Sequence, residues 1–198
     1  MELVFERYRY RAFEWRKGLA LPYKVALAML GAGLIGLAAQ VRFHLPWTPV
    51  PITGQTFAVL LTAVLLGRHW GGIAAGLYAV LGVAGLPWFA GATAGFAVLA
   101  GPSGGYIVGF VLAALFLGHV SDRYVRARSW YGLLALMLVA DFVLLFGPGL
   151  AWLGVMTGVA DPRQLLWMGL VPFVPGELVK ILAAAVTAFA LAPRKGSW

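Results

Sequence analysis

The 198-residue sequence contains no cysteine, which excludes disulfides and thiolate metal sites and leaves the redox compartment unmarked. Charge is scarce too. Only 11% of the residues are Asp, Glu, Lys or Arg, against about 25% in an ordinary soluble domain, and that excludes a water-soluble globular fold. No G-x-x-x-x-G-K-[ST] run exists, so an ATP-driven step would require another polypeptide. What fills the chain instead is apolar: 62% of the residues are hydrophobic. A helix crossing a hydrocarbon layer needs about 20 such residues, so the length allows about six crossings and no second domain. The expected fold class is an all-α integral membrane protein of six transmembrane helices. The formal charge of +8 arises from bases lying between apolar runs rather than on one face, which points to membrane topology and not to nucleic acid.

Residues 1–24 form a basic leader, with Arg7, Arg9, Arg11, Arg16, Lys17 and Lys24 interleaved with Tyr8, Tyr10, Phe13 and Trp15, as in an interfacial amphipathic segment in contact with membrane lipid. The membrane domain is expected over 25–192 and a cytoplasmic tail over 193–198. Apolar runs cover Val25 to Val41, Thr56 to Gly67, Gly71 to Gly85, Tyr106 to Gly118, Tyr131 to Phe146 and Pro172 to Ala192. The first reads as an uncleaved span in preference to a signal peptide cut near Ala38 and Ala39. Runs two to four are short for a crossing and need flanking residues to extend them. Leu45 to Gln55, with Pro46, Pro49 and Pro51, reads as an extended connection. Leu86 to Gly105 is apolar but broken by Gly and Pro, a backbone tolerated near a membrane only where protein buries it or it lines a cavity. With both termini in the cytoplasm, twelve bases fall inside, among them Arg68, Arg123, Arg126, Arg128, Arg194 and Lys195, against Arg42 and Arg163 outside. That asymmetry supports an even number of spans and this orientation.

Three ionisable residues lie inside apolar runs: Asp141 in the fifth, Glu177 and Lys180 in the sixth. Such groups are costly in a membrane and are functional candidates by default. The i, i+3 spacing puts Glu177 and Lys180 on one helix face, where they can pair or share a ligand. The orientation brings all three to the outer half of the membrane, at the depth of Gln55, Tyr106, Trp88 and Phe89. An acid, a base, an amide and aromatics around an apolar cavity suit a small amphipathic anion, with Lys180 for a carboxylate, Glu177 and Gln55 for N–H and C=O groups, and the rings for an apolar body. Structural alternatives stand beside this reading. Glu177 and Lys180 can be a pair that merely lets the helix insert, Asp141 a cap or a structural partner, Gln55 a helix-start residue, and the tryptophans an interfacial belt.

Two further patterns remain. Gly101-Pro102-Ser103-Gly104-Gly105 fits the G-x-S-x-G elbow of a serine hydrolase, but His69 and His119 belong at the cytoplasmic ends, and nothing in the sequence brings His44 to Ser103. Ala28, Ala32 and Gly36 form a small-residue stripe that either packs internally or receives a partner helix.

Four stretches carry a resemblance: V-P-I-T-G-Q-T-F-A-V-L-L at Val50 to Leu61, L-Y-A-V-L-G-V-A-G-L-P-W-F-A-G at Leu77 to Gly91, G-P-S-G-G-Y-I-V-G-F at Gly101 to Phe110, and P-F-V-P-G-E-L-V-K at Pro172 to Lys180. Together they resemble the BioY family, the biotin-specific substrate-binding (S) components of energy-coupling factor transporters. The family usually has Asp where this chain has Glu177, so the acid is retained one methylene longer. The resemblance implies six helices and a biotin pocket near the outer face, closed by loops, with Gln55, Glu177 and Lys180 at ligand positions. It further implies a coupling subunit docked on the Ala28 and Ala32 stripe, two ATPase subunits, a bacterial cytoplasmic membrane location, and no cofactor or enzymatic activity. Residues 1–20 lie outside the resemblance.

Overall fold

The computed structural model describes residues 2–67 and 69–193. Arg68, Arg194 and Lys195 of the charge count, and the tail from residue 194, lie outside the described residues. The leader is a helix, α1 (Glu2–Gly18), followed after a two-residue break by α2 (Leu21–Gln40), whose Pro22 sits in the first turn, where no N–H is needed. A two-strand hairpin follows, β1 (Arg42–Phe43) and β2 (Ile52–Thr53), pairing Arg42 with Thr53 and Phe43 with Ile52. Next come α3 (Gln55–Leu66) and α4 (Trp70–Val83). Gly67 ends α3 at φ 71°, a left-handed conformation favouring glycine, and its N–H closes on the Ala63 carbonyl. The irregular stretch holds only the single turn α5 (Phe96–Leu99), and then α6 (Gly104–Arg123) begins.

A 3₁₀ turn (Val125–Arg128) leads into α7 (Trp130–Val139), capped by the Ser129 hydroxyl, which accepts from Gly132 N–H at 3.1 Å. The helix continues through a π segment (Ala140–Leu145) into α8 (Phe146–Thr157). Pro148 explains the π segment: lacking an N–H, it cannot bond the carbonyl four residues back, and the ladder widens before it. Asp161 caps α9 (Pro162–Gly169), and α10 (Val174–Leu191) closes the chain.

Among the described residues four helices are long and apolar enough to cross a membrane: Leu21–Gln40, Gly104–Arg123, Trp130–Thr157 and Val174–Leu191. The protein is thus a multi-pass helical membrane protein. The short second and third runs remain short as helices. With 12 and 14 residues, α3 and α4 reach about 18 and 21 Å at 1.5 Å per residue. The two largest boundary shifts from the sequence expectation are outward. The fourth run extends to Arg123 because Asp122 is paired with Arg16, and the fifth runs eleven residues past Phe146, to Thr157, because the π segment absorbs Pro148.

Helix α3 is the centre of the bundle. It packs against α2, α4, α6 and α10, and from Ala58 to Val64 every residue is buried. Helix α6 lies against α3, α4, α8 and the π segment. Its glycines allow this: a methyl group at Gly109 would overlap the Leu145 backbone, and one at Gly105 the Pro148 carbonyl.

Candidate functional site

At one end of the bundle a cavity of about 280 Å³ opens beneath the hairpin and the loop after α4. The hairpin contributes Arg42, His44, Val50, Pro51 and Thr53, and the start of α3 adds Gln55 and Thr56. Tyr78 projects from α4, Phe89 and Thr93 come from the loop, and Ser103 and Tyr106 from the start of α6. Phe146, Phe173 and Glu177 complete the wall. Small-molecule sites run from about 300 to 1,000 Å³ and are mostly apolar with a few placed polar groups, and this cavity sits at the small end.

The polar groups are held, not merely present. Thr53 donates its hydroxyl to Gln55 Oε1 at 2.8 Å, and Gln55 Nε2 donates to the Tyr78 hydroxyl at 2.6 Å. Because that phenol accepts from Gln55, its own hydrogen is free to be offered to a ligand. Glu177, 2% exposed, binds the Lys180 ammonium through Oε1, while Oε2 has no well-formed hydrogen bond; the Thr56 side chain is its other polar neighbour. Lys180 also donates to the Thr53 carbonyl at 2.8 Å, tying α10 to the hairpin. Glu177 therefore presents acceptor capacity to the cavity, and the lysine behind it supplies the counter-charge.

The walls are aromatic. Tyr78 meets Phe89 edge-on at 5.3 Å and Trp88 at 5.5 Å, and Tyr106 meets Phe146 edge-on at 5.5 Å. Tyr106 donates its hydroxyl to the Gly169 carbonyl at 2.8 Å, so its ring faces the cavity while its polar end is spent. The loop cover is pinned by Gln40. Its Nε2 donates to the carbonyls of Trp88 at 3.1 Å and Phe89 at 3.2 Å, and its Oε1 accepts from Ala92 N–H at 3.0 Å.

Of the residues singled out from sequence, Gln55, Phe89, Tyr106 and Glu177 line the cavity. Trp88 and Lys180 stand one layer back. The Trp88 indole donates to the Tyr78 carbonyl at 2.9 Å and supports the ring that lines the wall. Asp141 is fully buried in the π segment, and neither oxygen has a hydrogen-bond partner among the described residues. It interacts electrostatically with Glu177 and Lys180 and is not part of the cavity wall. Ala28, Ala32 and Gly36 pack against the chain itself. Both alanines are fully buried, and the Cβ position of Gly36 lies 3.1 Å from Trp88, so the stripe seats α2 on its own chain while Leu30, Leu34 and Leu37 face outward. Ser103 and His44, held apart by the sequence reading, both reach the cavity because the hairpin folds back over it; no hydrogen bond joins them.

Sequence reasoning missed Tyr78, Thr56, Phe173 and Arg42. Tyr78 carried a readable signal, a phenol in the middle of an apolar run whose hydroxyl requires a partner. Arg42 entered only as a topology charge. It lines the cavity without a hydrogen bond or ion pair to any described residue, and its guanidinium covers Gly91, where a methyl group would overlap it.

Fold and cavity together define a class: a multi-pass helical membrane protein that encloses a small-molecule site under a loop cover. The comparisons narrow it. The BioY family model matches residues 14–196, and the chain belongs to that family. It is 45% identical over 140 residues to the probable biotin transporter BioY of Methanothermobacter thermautotrophicus, covering 68% of this chain and 89% of that protein. It is 37% identical to the biotin transporter BioY of Thermotoga maritima, covering 74% and 83%. The fold matches the crystal structure of the S-component for biotin from an ECF-type ABC transporter with a TM-score of 0.79 at 24% identity, over 90% of this chain and 96% of that one.

Proposed function

We propose that the chain captures biotin and mediates its uptake as the substrate-binding component of an energy-coupling factor transporter. It is a transport protein and not an enzyme. The observation that carries the reading is the division of the cavity into an acid, an amide and a phenol at its floor and a free guanidinium at its cover. Biotin has the complementary order: a cyclic urea, an apolar thioether ring and a chain ending in a carboxylate. The ureido N–H groups meet Glu177, the ureido carbonyl meets the free hydrogen of Tyr78 and the second N–H of Gln55, and Phe89, Tyr106 and Phe146 enclose the sulfur ring. Arg42 meets the carboxylate in this arrangement. Lys180, already committed to Glu177 and Thr53, holds the acid in place, so it acts through Glu177. Asp141 tunes the same pair from behind, and Trp88 backs Tyr78.

The full proposal includes six crossings with both termini in the cytoplasm, α3 and α4 being completed on the outer side by the hairpin and the loop after α4. It places the chain in the cytoplasmic membrane, with a transmembrane coupling subunit and two ATPase subunits supplying the energy this chain lacks. Calorimetric titration of detergent-solubilised protein from biotin-free growth tests the capture step. Saturable binding near one biotin per chain is expected. Folded, ligand-free protein that takes up no biotin would sink the assignment and send a panel of other vitamins to the same cavity.

A further inference from the structure

At the opposite end of the bundle from the biotin cavity, a second cleft of about 430 Å³ opens where α2 begins, α3 gives way to α4, and α6 ends. Lys24, His69, Trp70, His119 and Arg123 converge on it from these three places, which lie up to 99 residues apart in sequence. None of the five side chains makes a hydrogen bond, ion pair or ring contact with another described residue. Its one acid among the described residues, Asp122, is already paired with Arg16, and Arg16 also donates to the Leu65 carbonyl at 2.9 Å. The cleft therefore holds an uncompensated lysine and arginine, two imidazoles and an indole N–H, all donors, above a neutralised base. Leu66 and the Trp70 ring form an apolar side to it.

We propose that this cleft binds the phosphate headgroup of an anionic membrane lipid. The shared chemistry is an anionic phosphate group, and two observations favour a lipid over a soluble anion. The cleft lies at the helix ends, where a headgroup layer meets the bundle, and its Leu66 and Trp70 side suits a glycerol backbone and the start of an acyl chain. Beside it, α1 carries exposed Tyr8 and Trp15 among its bases, as in a helix lying in the interface. The inference rests on the membrane reading of the helices and not on the identity of the transported ligand.

The test is native mass spectrometry of the full chain released from mixed phosphatidylcholine and phosphatidylglycerol micelles, with the thermal-unfolding midpoint of every variant in detergent as the check on folding. The wild type is expected to retain one phosphatidylglycerol per chain in preference to phosphatidylcholine. Lys24→Gln with Arg123→Gln should weaken that retention about 30-fold, about fivefold for each base near the surface. Lys24→Arg with Arg123→Lys should restore it, and Arg163→Gln, a base outside the cleft, should leave it unchanged. Equal retention by the doubly neutralised variant would overturn the proposal. So would displacement of the lipid by inorganic phosphate at matched concentration, which would make the site one for a soluble anion. Unchanged retention together with loss of coupling-subunit binding would assign the cleft to a protein interface instead. Biotin binding is expected to persist in all these variants.

Discussion

Among the described residues two largely buried ion pairs lie at opposite ends of the bundle, Glu177 with Lys180 at the outer end and Arg16 with Asp122 at the inner end of the proposed orientation, and they are built to opposite purposes. Lys180 and Glu177 sit an i, i+3 step apart on one helix, with side chains 15% and 3% exposed, and the acid keeps an oxygen without a well-formed hydrogen bond beside a cavity. Arg16 and Asp122 are 106 residues apart, 9% and 15% exposed, and lie in a nest of further bonds. Arg128 donates through Nε to the Ser121 carbonyl at 2.6 Å, and the Phe13 ring lies between the guanidinium groups of Arg16 at 3.7 Å and Arg128 at 4.0 Å. Burial pushes both guanidinium pKa values down from the ordinary range, and Asp122 works against that shift. The inner pair uses its groups to fasten the leader helix to the body. The outer pair leaves acceptor capacity beside the cavity, where a ligand can reach it.

The largest effect expected from breaking that contrast is at Lys180. Lys180→Ala leaves an almost fully buried carboxylate without its counter-charge, a loss of about 3–5 kcal/mol, and calorimetry should show biotin binding weakened at least about 100-fold. Replacing both partners, Glu177→Gln with Lys180→Met, should recover thermal stability without recovering binding. Affinity within about threefold of wild type in Lys180→Ala would end the claim that the outer pair serves a ligand.

Arg42→Gln comes next and tests the division of labour between the two outer cations. Loss of a charged hydrogen bond costs about 1.5–3 kcal/mol, so biotin affinity should fall by about ten- to 100-fold. Biotin amide, which lacks the carboxylate, should bind wild type and variant alike. If the amide discriminates as strongly as biotin, Arg42 supports the cover and does not meet the carboxylate.

On the inner side the readout changes. Arg16→Ala should lower stability by about 1–2 kcal/mol, a buried-pair loss discounted for partial exposure, seen as a lower midpoint in thermal unfolding in detergent. Its biotin affinity should stay at the wild-type value. A parallel loss of affinity would mean that the leader helix is coupled to the cavity and that the two ends are not independent.

The contrast also explains what was legible beforehand. Glu177, Lys180 and Asp141 stood out because charge in an apolar run is rare, and that rarity is visible without coordinates. Which of them faces a cavity was not visible, because i, i+3 spacing gives a shared face but not which neighbour covers it. Asp141 and Lys180 accordingly stand behind the wall. The inner pair stayed hidden for a different reason. Arg16 sat in a basic leader and Asp122 at a helix end, both ordinary places for exposed charge, and only the tertiary fold brings them and Phe13 together. Helix ends followed the same logic. Gly147-Pro148-Gly149 looks like a stop, yet a π segment upstream of the proline carries the helix on to Thr157.

The smallest expected effect sharpens the outer site from its rim. Ser103 and His44 both line the cavity, which revives, on that shared lining alone, the hydrolase pattern seen in the sequence. A serine nucleophile needs a base bonded to its hydroxyl and a third group orienting that base. Ser103 and His44 share no hydrogen bond, and the carboxylate facing the cavity, Glu177, is committed to Lys180. Ser103 also does not cap α6 through its side chain. Ser103→Ala therefore removes a rim hydroxyl that holds nothing in place, and the expected change is within about 0.5 kcal/mol in both thermal stability and biotin binding. Uptake by cells carrying the variant should match the wild type. Abolished uptake with biotin affinity intact would show the serine acting on the ligand after capture, and the outer pair would then belong to a reaction site, not to a binding site.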